Sequence, residues 1–292
     1  MFIIQASAVR SALAKKNPSG EREPSVRCSP LGCSPFGARR VSVHGRRVAR
    51  SAPRPRLLCR KLDDKQVVTD YFNTTGFERW RRIYSDSEQV NRVQRDIRLG
   101  HAETVHKVLG MLDAASVDWA THTVLDVGCG VGSLAIPIAQ RNPKYLLACD
   151  ISTAMTTEAR TRAEQLLTAD QFARCAFRTA DLESIPETER FDTVCCIDVL
   201  IHYPTAQAAD MIDHLSKIAR QRLILSFAPR TLYYVLLKRI GDFFPGPSKA
   251  TRAYLHSEKE IRETLERNGW RVQSSAFTAT RFYFSKVLEA VR

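Results

Sequence analysis

The amino-acid sequence predicts an α/β fold with a mostly parallel, seven-stranded sheet and helices on both faces. Three observations support this prediction. From residue 123 onward, short apolar runs alternate with amphipathic helical stretches, which is typical of parallel strands joined by crossover helices. The apolar runs are hydrophobic on both faces, as strands buried on both sides must be. The first run leads into the glycine-rich turn of residues 128–132, where a strand can pass sharply into a helix.

Residues 1–61 differ in composition from the rest of the chain. They contain eleven Arg and three Lys against two acidic residues, and so carry +12 of the formal net charge of +13. They are also rich in Ser and Pro, with no helical periodicity and no apolar stretch long enough for a signal-peptide core. This composition predicts a disordered organelle transit peptide, plastid or mitochondrial, that is cut between Ser51 and Leu62. A basic tail kept on the mature protein is the alternative.

The remaining 231 residues carry a net charge of only +1, which argues against a nucleic-acid partner and favours at most peripheral contact with a membrane. They contain no run of about 20 apolar residues, so no transmembrane helix is expected. Their length suffices for one sizeable core. The cysteines of this part lie in or beside apolar runs without a C-x-x-C pair, so we expect small buried core residues and no disulfide framework. These are Cys129, Cys149, Cys175, Cys195 and Cys196.

Residues 62–118 are predicted to form an N-terminal helical arm. Apolar spacing indicates helices over 63–72, 77–84 and 90–112, with a break at Asn73–Gly76. Such an arm could cap the sheet, or it could fold over a bound cofactor. Its aromatic residues are expected in the core; these are Phe72, Phe77, Trp80 and Tyr84.

Residues 119–292 are predicted to form the sheet domain. An insertion at 229–256 interrupts the strand–helix alternation on the ligand side of the sheet, which favours a substrate lid or wall. Ser257 and Glu260 form a capping-box pattern that begins a helix, and Gly269 ends it. The strands are predicted at 123–128, 145–150, 175–180, 193–198, 222–227, 271–279 and 282–288, and the helices between the first five at 132–141, 153–168 and 205–219.

The glycine turn predicts a nucleotide-like cofactor. Its spacing is G-x-G-x-G, and Ser133 stands where the dinucleotide fingerprint has its third glycine, which favours S-adenosylmethionine over NAD. Carboxylates follow three successive strands: Asp150 suits the ribose hydroxyls, Asp181 the adenine amino group, and Asp198 the methionine end. The predicted cofactor-binding residues are Asp126, Gly128, Gly130, Gly132, Asp150, Ile151, Asp181, Leu182 and Asp198.

Four segments carry a more specific pattern. They are YFNTTGFERWRRIY at 71–84, DIRLGH at 96–101, DVLIHYP at 198–204 and FPGPSKATRAYLH at 244–256. With these segments the chain resembles the magnesium-protoporphyrin IX O-methyltransferases, a family of Rossmann-like class I methyltransferases, over about residues 65–292. Val131 replaces the Thr that is common in the family, a conservative departure.

This resemblance implies methyl transfer from S-adenosylmethionine to the ring-C propionate of magnesium protoporphyrin IX, giving the 13-monomethyl ester in chlorophyll biosynthesis. It implies a chloroplast location, in the stroma with peripheral contact to thylakoid or envelope membranes, and association with the magnesium chelatase large subunit. Magnesium would arrive only as part of the porphyrin substrate, with no metal site in the protein. By resemblance, His202 and Tyr84 are the expected catalytic residues.

The insertion offers groups that match a flat dicarboxylate. Aromatic side chains suit the ring and cations suit the acids, and His202 or His256 could ligate the substrate magnesium. The expected substrate-binding residues are Arg230, Tyr234, Lys249, Arg252 and His256.

Three other functions stay open. A quinone-pathway O-methyltransferase would share the glycine turn but not the segment at 244–256. A porphyrin-binding module without activity would be free to lose the strand-end carboxylates. An NAD-dependent oxidoreductase is disfavoured by the glycine spacing and the missing Tyr-x-x-x-Lys pair.

Overall fold

The structure, a computed structural model, describes residues 64–84, 90–231 and 253–292, without the side chains of residues 64, 75 and 84. These residues belong to one compact unit that spans Leu62–Arg292. The predicted transit segment at 1–61 and the middle of the insertion at 232–252 lie outside the described residues.

The described residues form the predicted seven-stranded sheet, in the order β3-β2-β1-β4-β5-β7-β6. The first five strands are parallel, and β7 is antiparallel to both β5 and β6. The chain leaves β1 toward β2 on one side and returns to β4 on the other, so the ligand-binding switch point lies at β1. The strands are β1 (Thr123–Val127), β2 (Tyr145–Asp150), β3 (Cys175–Thr179), β4 (Phe191–Cys196), β5 (Ala219–Phe227), β6 (Arg271–Ala279) and β7 (Phe284–Val291).

Helices lie on both faces of this sheet, and the two N-terminal helices lie beyond the carboxyl ends of its strands. The helices are α1 (Asp64–Asn73), α2 (Thr75–Tyr84), α3 (Arg92–Ala114), α4 (Ala135–Ala139), α5 (Thr153–Leu166), α6 (Ala169–Ala173), α7 (Thr205–Ile218) and α8 (Glu258–Arg267). Ser257 Oγ accepts from Glu260 N, and Gly269 adopts φ +78°, so the predicted start and end of α8 are confirmed. No helix within the three described ranges is long and apolar enough to cross a membrane.

Several strand boundaries differ from the prediction, among them both ends of β7, which runs from Phe284 to Val291 where 282–288 was predicted. β4 begins at Phe191, two residues earlier than expected, and β5 begins at Ala219, three residues earlier. Asp192 is the reason that the start of β4 was missed. Its polar side chain suggests a loop, but its carboxylate accepts hydrogen bonds from Thr123 N at 2.9 Å and Thr123 Oγ1 at 2.7 Å, which satisfies it inside the sheet.

The core consists of two apolar layers, one on each face of the sheet. Successive residues of β1 face opposite layers: Leu125 packs toward α7 and α8, and Val124 toward α3, α4 and α5. This division follows from the two-residue repeat of a strand. Four of the five cysteines are buried and Cys175 is half-buried, all with free thiols, as predicted.

The N-terminal arm packs on the sheet domain beyond the carboxyl ends of the strands. Trp80 and Ile83 of α2 form a small apolar cluster with Met155 of α5. Asn73 Oδ1 accepts from Ser152 Oγ at 2.8 Å and from Ala154 N at 3.3 Å, so the end of α1 is fixed to the start of α5. The aromatic residues of the arm are mostly in this interface: Trp80 is buried, and Phe72 and Phe77 are half-buried.

Helix α3 is fastened to the turn between β6 and β7. Asp96 Oδ2 accepts from Thr280 Oγ1 at 2.6 Å and from Phe282 N at 2.7 Å. One turn further along α3, Gly100 lies against the ring of Tyr283. A Cβ at this position would be 2.4 Å from a ring carbon, so only glycine allows the helix to approach this closely.

We expect Gly100→Ala to lower Tm by several degrees. Overpacking against the buried ring should cost toward the upper end of about 1–3 kcal/mol, which exceeds the roughly 1 kcal/mol that alanine gains over glycine in a helix. Gly110→Ala is the matched control, because a Cβ at Gly110, also on α3, would have no neighbour within 4 Å. It should leave Tm unchanged or raise it. Equal Tm shifts for the two variants in a thermal melt would contradict the steric argument.

Candidate functional site

A cavity opens at the carboxyl ends of β1, β2 and β4, beside the switch point of the sheet. It encloses about 1130 Å³, including the part open to solvent. Most of its wall is formed by the glycine turn, the strand-end loops and the N-terminal arm, and Tyr283 and Phe284 at the start of β7 complete it. The arm contributes Val68, Phe72 and Trp80. Of the two functions predicted for the arm, the structure therefore favours closure over a ligand site.

The glycine turn forms the floor of the cavity. Gly128, Gly130 and Gly132 all have positive φ, at 72°, 52° and 83°. A Cβ on Gly128 would lie 2.1 Å from Val199 Cγ2, whereas a Cβ on Gly130 would meet nothing within 4 Å. Gly128 and Gly130 line the cavity, and Gly132 shapes the turn behind it. The open space at Gly130 is where a ligand can approach the backbone.

Asp150 lies at the wall at the end of β2. Its Oδ2 accepts from Gly130 N at 3.0 Å and its Oδ1 from Ser152 N at 2.9 Å, so it connects the glycine turn to α5. Burial raises the pKa of Asp150 even though these backbone hydrogen bonds favour the ionised form. The neighbouring Ile151 also lines the cavity.

Asp126 lies below the glycine turn, away from the cavity wall. It is 2 % exposed, and its Oδ2 has no hydrogen-bond partner among the described residues. Burial, with the nearby charge of Asp150 as a second cause, raises the pKa of Asp126 to about 7. At neutral pH a substantial share of this carboxyl is therefore protonated.

The raised pKa predicts a pH-dependent effect of Asp126→Asn. In the unfolded chain an Asp titrates near pH 3.9. Between about pH 4 and 7 the folded protein therefore binds one proton more than the unfolded chain, and its stability falls as the pH rises through that window. Asparagine has nothing to titrate. We expect the Tm of the variant, relative to the original protein, to be higher at pH 8 than at pH 5. A Tm difference independent of pH, measured without ligands, would contradict this.

Asp181 and Leu182 line the cavity beyond the end of β3. Asp181 Oδ1 accepts from Glu183 N at 3.4 Å, and its Oδ2 accepts from Lys65 Nζ at 2.8 Å. The Lys65 ammonium also pairs with Glu183. Lys65 belongs to α1, so this ion pair holds the start of the arm against the predicted adenine end of the cavity.

Asp198 lines the cavity after β4 and accepts four side-chain hydrogen bonds. It is a non-glycine residue with φ +59°. Burial would raise the pKa of Asp198, but hydrogen bonds from His101, Tyr283 and Ser226 outweigh it and hold that pKa below its usual value. The bonds to Oδ2 come from His101 Nδ1 at 2.9 Å and Tyr283 Oη at 2.8 Å, and those to Oδ1 from Ser226 Oγ at 3.0 Å and Ser285 Oγ at 3.3 Å.

His202 ends the short 3₁₀ helix Leu200–His202 and faces the cavity. Its ring packs edge-on against Phe72 of the arm, with the ring centroids 5.3 Å apart. Burial lowers the pKa of His202 to about 3, so the imidazole is neutral at pH 7. Its Nδ1 has no hydrogen-bond partner among the residues described.

The two ends of the insertion meet near His202. Pro229 and His256 form an isolated parallel bridge, Arg230 N donates to His256 O at 2.8 Å, and Tyr254 N donates to Ile201 O at 2.8 Å. The insertion therefore leaves and re-enters the fold beside the cavity.

The structure does not bring Arg230 or His256 to the cavity wall. The Arg230 side chain is exposed. The His256 ring is fully buried, and its Nε2 lies 2.9 Å from Leu200 O. This burial contradicts the predicted direct contact of His256 with the substrate or its magnesium. The residue instead helps to hold this loop in place. The expected sites Tyr234, Lys249 and Arg252, and the side chain of Tyr84, lie outside the described residues.

The sequence did not single out several residues of the wall. Phe72 and Trp80 were assigned to the core, because aromatic residues at helical spacing usually pack there. His101 was named only within the family-like segment at 96–101, and Tyr283 only as part of a strand. No spacing rule could have connected His101 and Tyr283 with Asp198. No group of three or more His, Cys, Asp or Glu in the part that the structure describes could hold a metal ion.

Comparison with known proteins matches two family models. The model described as "Magnesium-protoporphyrin IX methyltransferase C-terminus" matches residues 196–292, and the general "Methyltransferase domain" matches residues 124–222. Together they cover the sheet domain from β1 to the C-terminus.

Two relatives that match most of the chain carry the same specificity in their names. The chain is 52 % identical to the chloroplastic magnesium protoporphyrin IX methyltransferase of Arabidopsis thaliana, over 78 % of this chain and 71 % of that protein. It is also 52 % identical to the magnesium-protoporphyrin O-methyltransferase of Synechocystis sp. PCC 6803, over 79 % of this chain and 97 % of the relative.

A solved structure agrees with the sequence comparison. The crystal structure of the Synechocystis PCC 6803 magnesium protoporphyrin IX methyltransferase with bound SAH (S-adenosylhomocysteine) matches with a TM-score of 0.70 and 50 % identity, over 79 % of this chain and all of that one. The same enzyme with bound SAM (S-adenosylmethionine) matches with a TM-score of 0.68. Because identity of this level extends over nearly the whole of a curated relative, the chain belongs to the magnesium-protoporphyrin IX methyltransferase family.

Proposed function

We propose that this protein transfers the methyl group of S-adenosylmethionine to the ring-C propionate of magnesium protoporphyrin IX, giving the 13-monomethyl ester in chlorophyll biosynthesis. The observation that carries the proposal is the 52 % identity to relatives named for this enzyme. The cavity described above supports it, because it lies where class I folds bind their cofactors.

The cavity residues fit S-adenosylmethionine. Gly130 leaves open space above its Cα, and Asp150 presents a carboxylate beside it that can accept from ribose hydroxyls. Asp181 and Leu182 lie at the next strand end, where the adenine would be held. When bound, S-adenosylmethionine supplies an electrophilic methyl group on a sulfonium.

The acceptor needs no general base. A propionate has a pKa near 4–5 and is an anion at pH 7. The task of the protein is therefore to align the two reactants and exclude water, and effective molarities for well-positioned groups are equivalent to roughly 7–11 kcal/mol of the barrier. Val68, Phe72 and Trp80 of the arm cover the cavity with apolar surface. Neutral His202 can then donate one N–H to the acceptor carboxylate without forming a competing salt bridge.

The insertion supplies the substrate contacts in this proposal. Tyr234, Lys249 and Arg252 bind the ring and its acids, and Tyr84 of the arm acts with His202 in catalysis. The support is the family-like sequence at 71–84 and 244–256, together with the anchoring of the insertion at Ile201 and Ala228, which both line the cavity. Arg230 and His256 belong to that anchor.

The test is an assay with two acceptors. The purified protein is incubated with S-adenosylmethionine and either magnesium protoporphyrin IX or metal-free protoporphyrin IX, and the products are separated by chromatography. We expect a monomethyl ester from the magnesium porphyrin and little from the metal-free ring. If no ester forms while calorimetry still shows binding of S-adenosylmethionine, the cofactor assignment stands and magnesium protoporphyrin IX is rejected as the acceptor.

The same proposal places the protein in chloroplasts, with residues 1–61 as the transit peptide. The Arabidopsis thaliana relative is named chloroplastic, and the basic charge of this chain is concentrated in that segment. We propose a stromal protein with peripheral contact to thylakoid or envelope membranes and with the magnesium chelatase large subunit as partner. N-terminal sequencing of the protein from isolated plastids should find a start between residues 51 and 62, and an intact residue 1 would reject the transit peptide.

A further inference from the structure

Tyr203 is a buried residue of the cavity wall that the proposed reaction does not yet use. It follows the 3₁₀ helix Leu200–His202 and is only 4 % exposed. It belongs to the apolar layer that contains Leu182 and Met211, and all three residues line the cavity. Tyr203 therefore presents a rigid aromatic surface with a polar end to a ligand at this part of the wall.

The charges around Tyr203 show which part of the wall this is. Burial raises the pKa of the Tyr203 hydroxyl, and the negative charges of Asp181 and Asp150 raise it further. Asp150 ends β2, and Asp181 follows the end of β3. In the proposed function these two carboxylates bind the adenosine part of the cofactor. Tyr203 therefore lies at the adenosine end of the cavity, and its hydroxyl is neutral at pH 7.

His202 and Tyr203 are consecutive residues, but they belong to different parts of the cavity wall. The His202 ring packs edge-on against Phe72 of the N-terminal arm. Tyr203 instead belongs with Leu182 and Met211 to the core layer on the α7 face of the sheet. One short loop can therefore contact both reactants, with His202 at the acceptor and Tyr203 at the cofactor.

Adenine needs hydrogen-bond donors as well as acceptors from its binding site. Its amino group donates, whereas its ring nitrogens accept. An ionised carboxylate such as that of Asp181 can only accept, so it can bind the amino group but no ring nitrogen. A neutral tyrosine hydroxyl can donate. Tyr203 thus offers the complementary group beside the carboxylate that the proposed function assigns to the amino group.

We propose that Tyr203 is an adenine-binding residue of the cavity and that its hydroxyl donates a hydrogen bond to a ring nitrogen of the base. The Tyr203 ring forms an apolar wall for the base together with Leu182 and Met211. The acceptor Asp181 and the donor Tyr203 then match two features of adenine at once, which favours it over a base with an oxygen in place of the amino group. This inference rests on the proposed function and adds a residue to the cofactor site.

The test is Tyr203→Phe, which removes the hydroxyl and keeps the ring. The full-length protein is titrated in calorimetry with S-adenosylhomocysteine and with its 1-deaza, 3-deaza and 7-deaza analogues, each of which has a carbon in place of one ring nitrogen. We expect the substitution to weaken S-adenosylhomocysteine at least fivefold, because a buried acceptor loses its partner. One analogue should bind the variant and the original protein within twofold of each other, because it already lacks the nitrogen that the hydroxyl contacts.

Tyr145→Phe is the matched control, because it makes the same chemical change elsewhere in the sheet. Tyr145 begins β2, at the end of the sheet opposite the cavity, and its ring stacks on that of Phe191 with centroids 6.4 Å apart. The affinity of this variant for S-adenosylhomocysteine should stay within twofold of the original value. Thermal melts of both variants show whether they remain folded.

Two results would overturn the proposal. An affinity of Tyr203→Phe for S-adenosylhomocysteine within twofold of the original would mean that the hydroxyl does not bind the cofactor. Equal weakening of S-adenosylhomocysteine and all three deaza analogues would mean that the hydroxyl supports the wall without contacting a ring nitrogen. Binding of these ligands does not involve the acceptor, so a failure of the proposed reaction is recognised separately, as an absence of ester from the unsubstituted protein.

Discussion

Replacement of His202 by alanine is expected to lower turnover by one or more decades in a protein that remains folded. His202 faces the cavity at the end of the turn after β4 and packs against Phe72 of the arm. In the proposed reaction its N–H holds the acceptor carboxylate in line with the methyl group, and loss of one such donor typically reduces kcat by about 10²–10³. The measurement is kcat for magnesium protoporphyrin IX, with Tm as the check on folding.

His214→Ala is the matched control for this variant. The His214 Nε2 lies 3.0 Å from Ile185 O, and this residue does not line the cavity, so its loss should affect stability and leave kcat unchanged. Because the pKa of His202 is about 3, the pH profile of kcat should show no ionisation of this residue between pH 6 and 9. Wild-type kcat in His202→Ala would show that this histidine only packs in the loop.

Asp150→Ala is expected to raise the KM for S-adenosylmethionine far more than the KM for the porphyrin. In the proposed site this carboxylate accepts from the two ribose hydroxyls, and a hydrogen bond to a charged group contributes about 1.5–3 kcal/mol, equivalent to roughly 10- to 150-fold in affinity. The substitution also removes the acceptor of Gly130 N and Ser152 N, which loosens the glycine turn. Calorimetry with S-adenosylhomocysteine measures the effect directly.

Asp192→Ala provides the comparison for Asp150→Ala. Asp192 also accepts a backbone hydrogen bond, from Thr123 N, but it lies at the start of β4, at the opposite end of the sheet from the cavity. Its loss should lower Tm and leave the KM for S-adenosylmethionine near its original value. An unchanged cofactor KM in Asp150→Ala would remove Asp150 from the ribose-binding role.

The strands and the strand-end carboxylates could be predicted from the sequence because local patterns determine them. Apolar runs define β1 and β2, and the residue that ends β2, Asp150, lies at the cavity wall as expected. The sequence could not give the partners of a side chain. Asp198 is separated from His101 by 97 positions and from Tyr283 by 85, and only the fold brings them together.

The burial of individual side chains is the second feature that could not be predicted from the sequence. His256 lies in a segment rich in charged and aromatic residues, which suggested an accessible ligand. The fold buries it completely, because the backbone on both sides of the insertion pairs around it. The backbone contacts around a polar residue in a predicted loop must therefore be known before a functional role can be assigned to it.

The ion pair of Lys65 with Asp181 and Glu183 has a consequence for the proposed removal of residues 1–61 as a transit peptide. Lys65 lies only three positions after Leu62, the far limit of the predicted cut. A processing peptidase that cut a few residues too late would remove the ammonium that fastens the arm, and leave two carboxylates repelling each other at the rim of the cofactor site. The accuracy of import processing and the competence of the enzyme would thus depend on the same short stretch of chain.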